Sequence, residues 1–390
     1  MRYQRKPLRK IWLKVHLYIA LSIGFIFVIL GLTGAINVFH WELEELGLPK
    51  VTHERFEKPL DFDLVMEMIR KQHPNRHGQW NLYMPGYERD YLWIWYPKPE
   101  EYAGRLFKPF GVLVNPYTGD IVEEHFWGET VWTFVYQLHA TLLAARFFDA
   151  DIAKYGAKTV SFLGLFLMAS ILSGFYLWWP SSGNFERAIR FKRKASAARL
   201  VYDVHKLTGL SCMVVLFLTA FTGFSFRYKD FLKPIVSHFS SVDAIHHKDP
   251  EGLKSNQEAG RQPISIKEAI SIADSVFPYA ELRWLATPNG PEGFYAIEKK
   301  QAGEANSRRP RSKVWIDQYS GDVLAVEDPN LFTAGETFFN LMWPLHNGEL
   351  FGLAGRALWC LAGFTPLLLY LTGMIRWLQK RKARKIKPRY

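Results

Sequence analysis

Apolar positions along this chain are clumped rather than spread. Four runs, residues 15–39, 160–179, 207–226 and 357–375, are long enough to cross a hydrocarbon core about 30 Å thick. The first holds no ionisable residue except His16, and the other three hold no Asp, Glu, Lys or Arg. The pattern predicts four membrane-spanning helices, the last kinked at Pro366. Between the first two runs the period changes. Phe62, Val65, Met66 and Ile69 recur at helical spacing, with Asp61 placed to cap that helix and Pro74 just past its end. Residues 80–84, 91–96 and 110–114 read as strands, and NPYTGD at 115–120 reads as a turn into Ile121-Val122. The same order returns between the third and fourth runs. A helix at 265–276 precedes strands at 282–286, 294–298 and 314–316, followed by the turn DQYSGD at 317–322.

The repetition extends into the apolar runs. A Val-His pair opens the first and leads into the third, and a Thr-Gly pair follows each His, with His16 leading to Thr33-Gly34 and His205 to Thr222-Gly223. Glu129-Thr130 and Glu336-Thr337 each precede a His by the same interval, at His139 and His346, before the second and fourth runs. Ser173-Gly174 and Thr372-Gly373 take similar places in those runs. The unit is span, external domain, His-bearing helix, span, written twice. The fold class expected is an integral membrane α-helical bundle of four transmembrane helices with two external α+β domains, related by internal duplication.

Charge sets the orientation through the excess of Lys and Arg in cytoplasmic segments. Residues 1–14 carry +6, residues 181–199 carry +5 and residues 376–390 carry +8, so the remainder is −7 within a formal net charge of +12. This topology accounts for the basic tail without nucleic acid. The expected order is a cytoplasmic N-terminus at 1–14, span 15–40, external domain 41–128, His-bearing helix and span 129–180, and cytoplasmic loop 181–199. It repeats as span 200–228, external domain 229–335, His-bearing segment and span 336–378, and cytoplasmic tail 379–390. The first apolar run is too long for a signal-peptide core and reads as a retained anchor. Cys212 and Cys360 both lie in apolar runs and no CxxCH is present, which excludes a c-type haem attachment and leaves no disulfide framework.

Twelve His are present, and the repeat separates four. His16 pairs with His205 near the cytoplasmic mouths of spans one and three; His139 pairs with His346 on the external side. A lone interfacial His is usually a hydrogen-bonding residue, yet an ionisable ring at membrane depth is costly and commonly functional. Facing helices with inward imidazoles build cofactor sites. A His pair without Cys or carboxylate partners falls short of the usual zinc set. Two axial imidazoles suit a six-coordinate b-type haem, so His16, His205, His139 and His346 are expected to be iron ligands of two b-type haems. His40 competes for the outer site, and its counterpart by repeat offset is Lys229. His53, His73, His77, His125, His238, His246 and His247 fall in polar external sequence. Arg146 and Arg356 follow the outer pair and suit either haem propionates or interface anchoring. Trp80, Trp93, Trp95, Trp127, Trp284 and Trp315 suit domain core or a docking surface.

These features together resemble the PepSY-associated transmembrane family over essentially the whole chain, with both external units PepSY-like. More narrowly, they resemble its branch of di-haem ferric-siderophore reductases of the bacterial inner membrane. The resemblance implies one-electron reduction of a ferric siderophore in the periplasm and release of ferrous iron. It carries the four ligand roles onto His16, His139, His205 and His346. One departure is the longer stretch at 140–159. No Gly-rich dinucleotide fingerprint follows a strand, so electrons are expected from a separate donor, a membrane quinol or a cytoplasmic reductase. Two other readings remain open: a non-enzymatic, iron-regulated protein that binds peptides or a protease, and a siderophore permease.

Overall fold

The computed structural model describes residues 5–386 except 53–57, 87–88, 181–182, 243–248 and 258–259. His53, His246 and His247 lie outside the described residues. The chain opens with α1 (Arg5–Val38) and the short α2 (His40–Glu45). Next come α3 (Phe62–Gln72), β1 (Asn81–Tyr83), β2 (Leu92–Tyr96), β3 (Phe110–Val114) and β4 (Ile121–Phe126). The chain returns through α4 (Val131–Thr141), α5 (Ala144–Phe147) and the long α6 (Ala150–Trp178). After α7 (Phe185–Ile189), the second half runs α8 (Ala197–Ser225), α9 (Lys229–Ser237) and α10 (Ile266–Val276). Strands β5 (Glu281–Ala286), β6 (Phe294–Lys300), β7 (Ser312–Asp317) and β8 (Val323–Glu327) follow. The end is α11 (Ala334–Asn340), α12 (Met342–Asn347), α13 (Gly352–Gly363) and α14 (Thr365–Ile386).

Among the described residues four helical stretches are long and apolar enough to span a membrane: Pro7–Val38, Ala150–Trp178, Ala197–Ser225 and Glu349–Ala383. Their flanks expose Tyr18, Phe25, Leu172, Val214 and Leu361, a surface that suits lipid rather than water. Helix α6 packs on α8, and α1 packs on α6, α13 and α14. Glycines set the closest approaches. A Cβ at Gly31 would stand 2.5 Å from the Gly363 carbonyl, and one at Gly164 would stand 2.5 Å from that of Ala220. No side chain fits at either crossing. The fourth span breaks between α13 and α14, where Pro366 removes a backbone donor, as its position in the run predicts.

The helices exceed their apolar cores. Helix α14 continues to Ile386, so the start of the basic tail extends the last span as helix. The stretch at 140–159 is a turn with Leu142 and Leu143 both at positive φ, then α5 and the first turns of α6. That turn reverses the chain, and α4 packs back against α1 and α6.

Residues 41–128 and 229–335 do not form separate sheets. Strand β1 pairs antiparallel with β5, Leu82 opposite Leu285, giving one eight-stranded sheet ordered β4-β3-β2-β1-β5-β6-β7-β8. Helices α3 and α10 cover one face, where Met66, Ile69, Leu82, Ile94, Ala273, Leu285 and Ile297 form a shared core. Asp61 caps α3 through the Asp63 amide at 2.9 Å, and Ser265 caps α10 through Glu268 at 3.1 Å. The Asp63 carboxylate also accepts from the Ile266 and Lys267 amides at 2.7 and 3.0 Å, joining the two helices. The two matched turns share one mechanism. Asn115 Oδ1 accepts from the Tyr117 amide at 3.0 Å and Asp317 Oδ1 from that of Tyr319 at 2.7 Å, with Gly119 and Gly321 both at φ 77°.

The other sheet face is aromatic. Tyr83, Trp93 and Trp284 cluster there with Trp41 and Trp127, from either side of the bundle's sheet-proximal end. Trp80, Trp93, Trp127, Trp284 and Trp315 are buried and Trp95 is half-buried. Five of the six tryptophans are therefore core.

Candidate functional site: two histidine pairs

His16 on α1 and His205 on α8 face each other at the end of the bundle remote from the sheet. Their ring centres are 6.3 Å apart, with planes at 89°. His139 on α4 and His346 on α12 do the same at the sheet-proximal end, 6.2 Å apart with planes at 61°. The structure thus brings together both pairs that the repeat singles out, and each pair joins the first half of the chain to the second.

Each imidazole is seated on a neighbouring span in the same way. His16 Nδ1 lies 3.0 Å from the Ser170 carbonyl and 3.1 Å from Ser173 Oγ. His139 Nδ1 meets the Leu30 carbonyl at 3.0 Å and Thr33 Oγ1 at 3.1 Å. His205 Nδ1 meets the Leu369 carbonyl at 3.1 Å and Thr372 Oγ1 at 2.9 Å. His346 Nδ1 meets Thr222 Oγ1 at 2.9 Å and also bonds the Thr219 backbone. The residue after each hydroxyl is glycine. A Cβ at Gly174, Gly34, Gly373 or Gly223 would stand 3.1, 3.0, 3.3 or 3.2 Å from Cε1 of the respective ring. These are the Ser-Gly and Thr-Gly pairs of the sequence: the hydroxyl binds the ring and the glycine makes room for it.

The hydrogen inventory fixes the tautomers. Ser173 Oγ donates to the Ser170 carbonyl at 2.9 Å and Thr33 Oγ1 to Ile29 at 2.7 Å. Thr222 Oγ1 donates to Leu218 at 2.7 Å and Thr372 Oγ1 to Leu368 at 2.6 Å. With its one hydrogen spent, each hydroxyl can only accept from the ring, and carbonyls only accept. Every Nδ1 therefore carries hydrogen, leaving Nε2 of the neutral ring with its lone pair. Among the described residues no hydrogen bond engages any of the four Nε2 atoms.

Such a pair can hold one metal ion between the rings. Metal–imidazole bonds run about 2.0–2.1 Å and a ring centre lies about 1.1 Å behind its nitrogen, so two trans imidazoles stand about 6.2 Å apart. Both pairs match that separation. The Nδ1 bonds supply the outer contacts that orient a ligating His and raise its basicity. Among the described residues no group of three or more His, Cys, Asp or Glu could hold a metal ion.

A cavity of about 1140 Å³ opens at the remote pair. Its walls come from α1, α6, α8 and α14, and include His16, His205, Gly24, Gly209 and Pro366.

The chain matches a family model described as PepSY-associated TM region over residues 13–380. It belongs to that family. No curated relative matches it. Family membership agrees with the four apolar helices in making this a membrane protein.

Within this PepSY-associated chain the remaining histidines and the two arginines have separate roles. His40 is 3% exposed and packs on Trp41 and Trp127, with ring centres 4.6 and 5.9 Å away. Both its nitrogens lack a hydrogen-bond partner among the described residues. His73 pairs with Glu124 at 3.0 Å and His125 with Glu123 at 3.2 Å. His238 lies against Phe239. Arg356 is buried, donates to the Val38 carbonyl at 2.7 Å and pairs with Glu42 at 2.5 Å, clasping the end of α1. Arg146 donates to the Gly128 carbonyl. Both arginines thus make anchoring contacts.

Proposed function

We propose that this protein is a di-haem b oxidoreductase of the bacterial inner membrane, carrying electrons across the bilayer to reduce a ferric siderophore on the sheet side. The carrying observation is the pair of His couples, with ring centres 6.3 and 6.2 Å apart and each with both Nε2 lone pairs kept free, so that each couple would suit an iron porphyrin. His16, with His205, would hold one haem, and His139, with His346, the other. An iron porphyrin at each pair supplies one-electron transfer.

The protein's part is placement. Serine, threonine and carbonyl groups hold each ring in one tautomer and one orientation. His16 and Gly34, which touches His139, are 18 residues apart on α1, about 27 Å at 1.5 Å per residue. The pairs thus stand near opposite faces of a membrane. The basic ends of α1 and α14 favour cytoplasmic termini and a periplasmic sheet. Reduction of the ferric chelate on that side gives the more weakly held ferrous ion. The siderophore as substrate follows from the family resemblance. The donor is a separate molecule, a quinol or a cytoplasmic reductase.

Protein purified in detergent from haem-replete cells should be red and give a b-type pyridine haemochrome at two haems per chain. Reduced anaerobically, it should reoxidise on addition of a ferric siderophore. A colourless preparation would overturn the haem reading. Red protein that stays reduced with every ferric chelate would overturn the substrate and leave the haems.

A further inference from the structure

The cavity at the remote pair has a charged mouth. Arg9 and Lys10 on α1, Arg199 and Lys206 on α8, and Arg376, Lys380 and Arg381 on α14 all line it, and among the described residues no Asp or Glu does. Behind this rim, Asp203 is fully buried and takes two of the cations, Arg199 Nε at 3.1 Å and Lys206 Nζ at 3.0 Å. Arg9 and Arg376 are differently placed. Arg9 Nη2 donates to the Leu177 carbonyl at 2.7 Å, and Arg376 Nη1 to the Ala198 carbonyl at 3.3 Å. Each spends one of five donors on a neighbouring helix, which steadies the guanidinium and leaves the rest of the fork for a ligand. The Arg376 guanidinium also lies over the Tyr202 ring, 4.8 Å from its centre.

Resting on the haem reading above, we infer that Arg9 and Arg376 bind the carboxylates of the macrocycle seated between His16 and His205, with Lys10 adding charge at the mouth. The cavity suits an amphiphile with one apolar body and one anionic edge. Leu17, Leu21, Phe27, Leu216 and Leu369 line the wall and the cations gather at the opening. Carboxylates placed there meet bidentate donors instead of lipid. The residues that follow the other pair in sequence, Arg146 and Arg356, make different contacts, so nothing in the local sequence marks this rim as the anion site.

The test uses the full-length chain made in porphyrin-starved cells, in a His346→Leu background that leaves the remote pair intact. It is titrated in detergent with haem b and with haem b dimethyl ester, following the Soret band. The background protein should bind haem about ten- to a hundredfold more tightly than the diester. Arg9→Gln with Arg376→Gln should remove most of that preference while diester binding holds, which also shows that the variant is folded. Raised salt should weaken haem binding and leave the diester unaffected. Equal affinity for acid and diester, or an equal loss of both in the double variant, would overturn the inference. Failure of either porphyrin to bind, with the full native chain colourless as well, would overturn the haem reading instead.

Discussion

Thr372 shows how little chemistry seats a paired imidazole here: one hydroxyl, one carbonyl and one missing methyl group. Thr372→Val keeps the shape and removes one of the two acceptors for His205 Nδ1, leaving the Leu369 carbonyl. Porphyrin affinity at the remote pair should fall about ten- to a hundredfold, read by absorbance titration, with the other pair unaffected. His40 supplies a contrasting case. Burial, aided by Arg308, Arg89 and His125, lowers its pKa to about 3. Below about pH 6.5 the unfolded chain takes up a proton that the folded protein refuses, so stability falls toward acid by up to about 1.4 kcal/mol per pH unit. His40→Phe should flatten the fall in melting temperature between about pH 6.5 and 4 and leave both chromophores in place. A lost chromophore would make His40 a ligand. The four paired His were legible from the repeat, and the Ser-Gly and Thr-Gly pairs were visible as repeated positions in the apolar runs. Their role was not, because the partners stand 106 to 167 residues apart in the chain and meet only across helices.

At the scale of elements, the crossings tolerate no side chain. Gly363→Leu would drive a branched chain into the Gly31 carbonyl and the Ala35 methyl, so α13 must leave α1. Both chromophores should be lost together with the folded bundle, read by size-exclusion chromatography. The helix pair on the sheet is less severe. Asp63→Ala removes the acceptor shared by the Ile266 and Lys267 amides and should cost about 1 kcal/mol of stability in chemical unfolding. Helix and strand positions followed from period and capping. The junction of β1 with β5 did not, because alternation tells which face of a strand is buried and not which strand lies beside it. The repeated Glu-Thr also stands differently in the two halves. Thr130 caps α4, but the cap of α11 is Thr333, with Glu336 as its reciprocal partner.

On the scale of the whole molecule, neither half is complete. The sheet is continuous across β1 and β5, and each His couple takes one ring from before α7 and one from after it. Residues 1–183 and 184–390 produced separately should be colourless and prone to aggregation through the open strand. Produced together they should reassemble and bind two haems, counted by pyridine haemochrome. Colour in one half alone would mean that the couples are misassigned. A chain half this long, with a single imidazole near each face of the bilayer, could close neither couple unaided. Two copies turned about an axis down the bundle would close both at once, each couple lying on that axis and belonging equally to both.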